Sequence, residues 1–167
     1  MGAKTTAADR PDDAPDAAVP AAANAAAASA AAGYVLDHQI GFVLRLVYQR
    51  HAAIFAQRIG DELTPTQWAA LAKLWQTGPT SQNLLGRLTA MDASTIRGVV
   101  ARLVKRGLVD TRPDKNDARL LLVGLTKAGT ELFRDLAPRA LAISEETLAP
   151  LSPDERETLA RILDKLR

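Results

Sequence analysis

Arg119 stands two residues after Asp117, where the charged hexad RPDKND (112–117) gives way to the apolar run LLLVGL (120–125). A carboxylate at that spacing can hold a guanidinium through a charge-assisted pair. An arginine so oriented at the base of a hairpin can enter the narrow, negatively charged minor groove of DNA. The same two residues also describe a surface salt bridge that steadies a hairpin, worth less than about 1 kcal/mol. Neither reading is catalytic. The chain carries no metal-ligand cluster, phosphate loop or nucleophile elbow, so enzymatic turnover is not expected.

The basic residues concentrate around this pair. Residues 81–119 hold Arg87, Arg97, Arg102, Lys105, Arg106, Arg112, Lys115 and Arg119 against Asp92, Asp110, Asp114 and Asp117, while the whole chain carries a net charge of only +2. A basic centre suits a polyanionic partner, and it equally suits a solvated charged face. There is no cysteine, which removes disulfides, zinc–thiolate sites and thiol redox sensing and fits a cytoplasmic location. His38 and His51, the two histidines, are too few for a histidine-based metal cluster. No run approaches the roughly 18 apolar residues of a membrane span, and residues 1–33 lack the apolar core of a signal peptide.

The elements that must position these residues follow from periodicity and caps. Residues 1–33, rich in Ala, Pro and Asp, have almost nothing to bury and are expected to form a disordered tail; the run AAANAAAASAAA could still form helix. From Tyr34 to about Ile59, the residues Ile40, Val43, Leu44, Val47, Ile54 and Phe55 make a helical stripe. TPTQ opens a second helix with Thr64 as cap, Pro65 in the first turn and Gln67 completing a capping box, and Gly78-Pro79 ends it. A short third helix is expected over Ser81–Leu88 and a fourth over about Ala93–Arg106, capped by Asp92 and stopped by Gly107. LVDTR (108–112) and RLLLVGL (119–125) read as a strand pair around the turn PDKNDA. Thr126 then caps a long helix that Pro138 should kink or break, and SPDE (152–155) opens a last one.

The fourth helix divides cleanly into two faces. At about 100° per residue, Ile96, Val99, Val100 and Leu103 form one stripe, and Ser94, Gly98, Ala101, Arg102 and Lys105 lie opposite. Small residues let a helix backbone approach a groove floor, and basic ones flank it to meet phosphates. A solvated surface helix is the plainer alternative. Two helices joined by a three-residue turn and followed directly by a hairpin make a helix-turn-helix with a wing, whose tip carries Lys115 and Arg119. The fold class expected is therefore mainly α with a small β-wing.

The stretch DASTIRGVVARLVKRGLVDTRPDKNDARLLLVGLTKAG resembles the MarR family of winged helix-turn-helix transcriptional regulators. It carries a Ser-Thr recognition helix, an RGLV exit, an Asp-x-Arg wing and a Leu-Thr-x-x-Gly return, in that order. The resemblance covers about residues 34–167. It implies a winged module over about 61–125, dimerisation helices over about 34–60 and 126–167, and a triangular homodimer on a palindromic operator in double-stranded DNA. It also implies a repressor released by a small aromatic or phenolic carboxylate effector, with no other cofactor and no metal.

The family's DNA-contacting pattern falls on Ser94, Thr95 and Arg97 and on Asp117 and Arg119; Ser81, Gly98, Arg102, Lys105 and Lys115 complete the DNA-facing set. One departure concerns Arg97. Many members carry Thr-Arg where this chain has Arg97-Gly98, so the arginine moves about 100° around the helix and both base and phosphate stay open to it. The effector site implied by the resemblance falls on Arg45, Tyr48, His51 and Trp68. There Arg45 would pair with a carboxylate, His51 would hydrogen-bond it and Trp68 would stack on a ring. Core packing of His51 and Trp68, or a subunit salt bridge at Arg45, fits the same residues. A winged-helix module that binds protein instead of DNA is the competing function.

Overall fold

The computed structural model describes residues 33–166 except 116 and 118, so the expectations for residues 1–32 lie outside the described residues. The described residues divide between two units, one holding residues 33–43 and the other residues 44–166. Of the first, the described part is a 3-10 turn at Leu36–His38 and the opening of helix α1 (Ile40–Ile59). The helix thus starts at Ile40, the first residue of the apolar stripe, and not at Tyr34, because residues 34–39 make a turn whose Gln39 amide bonds back to the Leu36 carbonyl at 2.9 Å.

The second unit continues α1 and adds α2 (Pro65–Thr77), strand β1 (Thr80–Ser81), α3 (Gln82–Leu88), α4 (Ala93–Lys105), β2 (Val109–Pro113), β3 (Leu121–Leu125), α5 (Lys127–Leu148) and α6 (Pro153–Asp164). The capping boxes at Thr64/Gln67 and Ser152/Glu155 both form. The three strands are antiparallel in the order β1-β3-β2, with Thr80 opposite Val123 and Thr111 opposite the same residue on the other side. β1 was not expected; it joins Thr80 to Ser81, the first residue of the anticipated third helix, which begins at Gln82 instead.

The core sits where α2, α3, α4 and α5 meet the sheet: Leu71, Leu85, Ile96, Val99, Leu103, Val123 and Leu136 are almost wholly buried. Each such side chain contributes on the order of 1.5–3 kcal/mol of burial free energy. Pro138 lies inside α5 without ending it. Both Pro138 and Arg134, whose carbonyl loses its amide partner, are exposed, so water can satisfy the orphaned oxygen.

A tight joint sets the wing against the helices. Gly107 leaves α4 at φ +69°, a left-handed conformation that favours glycine, and the Leu108 amide bonds back to the Leu103 carbonyl at 3.0 Å. Thr126 then clamps this turn from the far side. Its amide donates to the Leu108 carbonyl at 3.1 Å and its hydroxyl to the Gly107 carbonyl at 2.7 Å. The same hydroxyl oxygen accepts from the Gly129 amide at 3.0 Å, capping α5. The Leu-Thr-x-x-Gly return is therefore a joint between α4, β2 and α5.

Candidate nucleic-acid interface

α4 presents the face expected from its sequence. Ile96, Val99, Val100 and Leu103 are buried, while Ser94, Arg97, Ala101, Arg102 and Lys105 are exposed and Gly98 and Thr95 are half-buried. Gly98 does more than stay small. A Cβ built on it would lie 3.4 Å from the Arg102 guanidinium, so that side chain folds back over the glycine, one turn along. α4 is thus a helix with a dry apolar stripe on one side and a wet, small and cationic surface on the other.

Its N-terminus is held by Asp92. Oδ1 accepts from the Ser94 amide at 2.9 Å, the Ser94 hydroxyl at 2.6 Å and the Thr95 amide at 2.8 Å; Oδ2 accepts from the Thr95 hydroxyl at 2.7 Å. The Ser94 hydroxyl first, then the Thr95 hydroxyl and the Thr95 amide, hold the Asp92 carboxyl well below the usual carboxylate range, with desolvation opposing them and the Ser94 amide adding least. Sequence reasoning assigned Asp92 only the role of cap. The D-x-S-T spacing was the available signal for more, because it puts two hydroxyls within reach of one carboxylate. The other end of α4 is tied down by Arg106, whose Nη1 donates to the Glu62 carbonyl.

At the wing, the turn between β2 and β3 is built around two aspartates. The Asp114 amide donates to the Leu120 carbonyl at 2.8 Å, and the Asp114 carboxylate accepts from the Asp117 amide at 3.0 Å. Asp117 in turn accepts from the backbone amide of Arg119 at 3.0 Å. The expected ion pair between the two side chains is replaced by this backbone contact. Asp117 fixes the peptide that carries Arg119, and among the described residues the Arg119 guanidinium enters no ion pair. The physical reason is reach: at i, i+2 in a turn, a short aspartate meets the amide before it meets the far end of a long arginine. Arg119 also belongs to the turn, since β3 begins only at Leu121. Lys115, Asp117 and Arg119 are all exposed. Ser81, by contrast, is half-buried, paired with Leu122 in the sheet, and its hydroxyl caps α3 by accepting from the Leu84 amide at 3.3 Å.

The residues anticipated for an effector are dispersed along two helices. Arg45 and Tyr48 are exposed on α1, and the Tyr48 and His51 rings lie 6.5 Å apart. His51 Nδ1 is 3.0 Å from the Thr147 hydroxyl, and neighbouring Arg50 donates to the Thr147 and Glu146 carbonyls at 2.8 and 3.1 Å. Trp68 on α2 stacks on Phe133 of α5 at 5.1 Å between centroids; Trp75 stacks on the same ring at 5.0 Å, with the Arg134 guanidinium over Trp75. A hollow of about 330 Å³ between the end of α1 and the start of α2 is lined by Ala52, Phe55, Leu63 and Gln67 and takes in none of the four. Among the described residues no group of His, Asp or Glu could hold a metal ion, and no helix is long and apolar enough to cross a membrane.

Known proteins share this geometry. The MarR family model matches residues 63–121, the segment from the α2 cap into β3. The HTH-type transcriptional repressor NicR of Pseudomonas putida is 42% identical over 134 residues, 80% of this chain and 85% of that protein. A crystal structure of a probable transcriptional regulator from Pseudomonas aeruginosa superposes with a TM-score of 0.77 at 55% identity, over 80% of this chain and 100% of that one. Bordetella bronchiseptica BpsR, whose DNA binding is regulated by 6-hydroxynicotinic acid, superposes with a TM-score of 0.76 at 38% identity, over 80% of this chain and 96% of that one. With the fold, the recognition-type helix and the wing shared over four-fifths of its length, the chain belongs to the MarR family of DNA-binding, non-enzymatic transcriptional regulators.

Proposed function

We propose that this chain is a cytoplasmic, homodimeric repressor that holds a palindromic operator and releases it when a small aromatic or phenolic carboxylate binds. The observation that carries the reading is the exposure of the small, cationic face of α4 together with Arg119 on the adjoining wing. In this reading Ser94, Thr95, Arg97 and Gly98 meet the major groove, and Arg102 and Lys105 flank it at phosphates. Lys115 and Arg119 reach the neighbouring minor groove, Asp117 holds the wing turn, and Ser81 supports the edge of the interface through the α3 cap.

The dimer is supported by what α1 and α6 leave wet. Leu44, Val47, Ile162, Leu163 and Leu166 are exposed, and a hollow of about 580 Å³ lined by Leu44, Ala160, Leu163 and Leu166 lies between the two helices. Apolar surface gathered in this way is the mark of an association site. On this reading residues 34–60 and 126–167 form the dimerisation layer and residues 61–125 the DNA-binding module.

The effector class is supported by chemistry. A carboxylate suits Arg45, a ring hydroxyl or carboxylate suits His51, and an aromatic ring suits Tyr48 and Trp68. 6-Hydroxynicotinic acid, which regulates BpsR, is itself a hydroxylated aromatic carboxylate.

Selection of bound sequences from random duplex DNA tests the whole reading. The expected result is a two-fold symmetric motif with half-sites about one helical turn apart. An asymmetric motif would remove the dimer, and no enrichment would remove DNA recognition and favour a protein partner.

A further inference from the structure

We propose that Asp92 sets what the first turn of α4 can read: by taking the protons of the Ser94 and Thr95 hydroxyls, it turns both into hydrogen-bond acceptors suited to the amino groups of cytosine or adenine and unsuited to phosphate. This rests on the DNA-binding reading and adds a specificity determinant to it.

A hydroxyl has one proton and two lone pairs. In Ser94 and Thr95 that proton is already engaged, at 2.6 and 2.7 Å from the Asp92 carboxylate. What the two side chains can still offer is acceptance. In the major groove the donors are cytosine N4 and adenine N6, whereas guanine N7 and O6 and thymine O4 only accept. Phosphate oxygens only accept as well. A phosphate contact from either hydroxyl would therefore require its bond to Asp92 to break.

The backbone supports the same conclusion. The free amides at a helix N-terminus, with the positive end of the helix dipole, ordinarily make a ready anion site. Here the Ser94 and Thr95 amides are both filled by the carboxylate, at 2.9 and 2.8 Å. Asp92 thus closes the generic phosphate anchor at this end of α4 and adds a negative charge that repels the DNA backbone. Phosphate neutralisation is left to Arg102 and Lys105 further along the helix. The low-lying acidity of Asp92 keeps the carboxylate ionised, and so acceptor-only, at any working pH.

The test is random-duplex selection with the wild-type chain, Asp92→Asn and Asp92→Ser, each checked for folding by thermal melting. Asparagine and serine both keep a capping oxygen. The asparagine amide, however, donates to one hydroxyl and frees its proton, and serine releases both side chains. The wild type should select fixed base pairs in each half-site and prefer the selected cytosine or adenine, on the order of tenfold, over its analogue lacking the amino group (2-pyrimidinone or purine). The variants should lose that preference, bind random duplex more tightly, and show a specific-to-random ratio lowered on the order of tenfold. Folded variants that select the same bases with an unchanged ratio overturn the assignment to Asp92 while leaving the regulator reading intact. A wild-type chain that enriches no sequence removes both.

Discussion

A Cβ placed on Gly129 would lie 1.9 Å from the carbonyl oxygen of Leu108, the closest approach at any described glycine. Leu108 belongs to the exit from α4 and Gly129 to the first turn of α5, so this contact seats α5 directly on the turn leading into the wing. The obstacle is backbone, which cannot swing away as a flexible side chain would. Gly129→Ala should therefore destabilise the fold, by about 1–3 kcal/mol as in other overpacked sites. Gly98→Ala is the control, because its Cβ would meet only the movable end of Arg102 at 3.4 Å. Alanine should raise helix stability there by up to about 1 kcal/mol. Thermal melting of the two variants checks the pair, and equal melting temperatures would reject the steric account.

The wing allows the roles of Asp117 and Arg119 to be separated. Asp117 bonds the Arg119 amide through Oδ1, an atom that asparagine also possesses. Asp117→Asn should leave operator affinity nearly unchanged. Arg119→Ala should weaken it by about 1–3 kcal/mol if the guanidinium discriminates sequence. Titration of operator and random duplex decides: equal losses on both would make Arg119 a phosphate contact, and a large loss in Asp117→Asn would restore the side-chain ion pair.

How much of this was legible beforehand depended on whether a residue's role was local. The buried stripe of α4, the capping boxes and the Asp92 and Thr126 caps are set by neighbours within one turn, and sequence spacing exposes them. The strand Thr80–Ser81 is only two residues long and shows no alternation; its partner, β3, lies some forty residues away. Pro138 was expected to kink or break its helix, and that it does not end the helix was not legible, because sequence does not tell which side of a helix faces water. The Asp117–Arg119 contact was legible as a pair, but whether a carboxylate reaches an amide or a guanidinium depends on turn geometry. The need for glycine at 129 comes from a backbone approach across some twenty residues, which no pattern records.

Acid titration tests the cap of α4. With four hydrogen bonds to its ionised form, the Asp92 carboxyl titrates below its ordinary range in the folded chain. A folded-state pKa depressed in this way stabilises the native state fully above the unfolded value of about 3.9, and the contribution is lost as pH falls through the lower folded value. The Asp92 carboxyl carbon, followed by NMR, should therefore show no titration step near pH 3.9 while the chain remains folded. A midpoint there would mean the hydrogen bonds do not persist in solution.

Oligomeric state can be tested on residues that the described chain leaves wet. Leu163 is 43% exposed and Leu166 71% exposed, so aspartate at both positions should leave the single chain folded. If α6 lies in a subunit interface, the double variant should scatter light as a monomer and lose operator binding, because one lobe alone cannot span two half-sites. A variant that stays dimeric moves the interface elsewhere.

The last prediction uses the only two tryptophans in the chain as reporters. Trp68 and Trp75 both stack on Phe133, which ties α2 to α5, and Trp68 belongs to the proposed effector set. A ring that settles beside Trp68 changes the surroundings of half the chain's tryptophan emission and bears on the stack that joins the two helices. Adding 6-hydroxynicotinic acid should therefore shift or quench the emission over the same concentration range in which operator DNA is released. Arg45→Ala should keep operator affinity and lose both responses together, since removing the carboxylate's partner weakens the ligand without touching the DNA face. Release that persists in Arg45→Ala would take Arg45 out of the pocket. Release of operator with no change in emission would place the effector away from Trp68, because a ligand stacked on that ring cannot leave its fluorescence untouched.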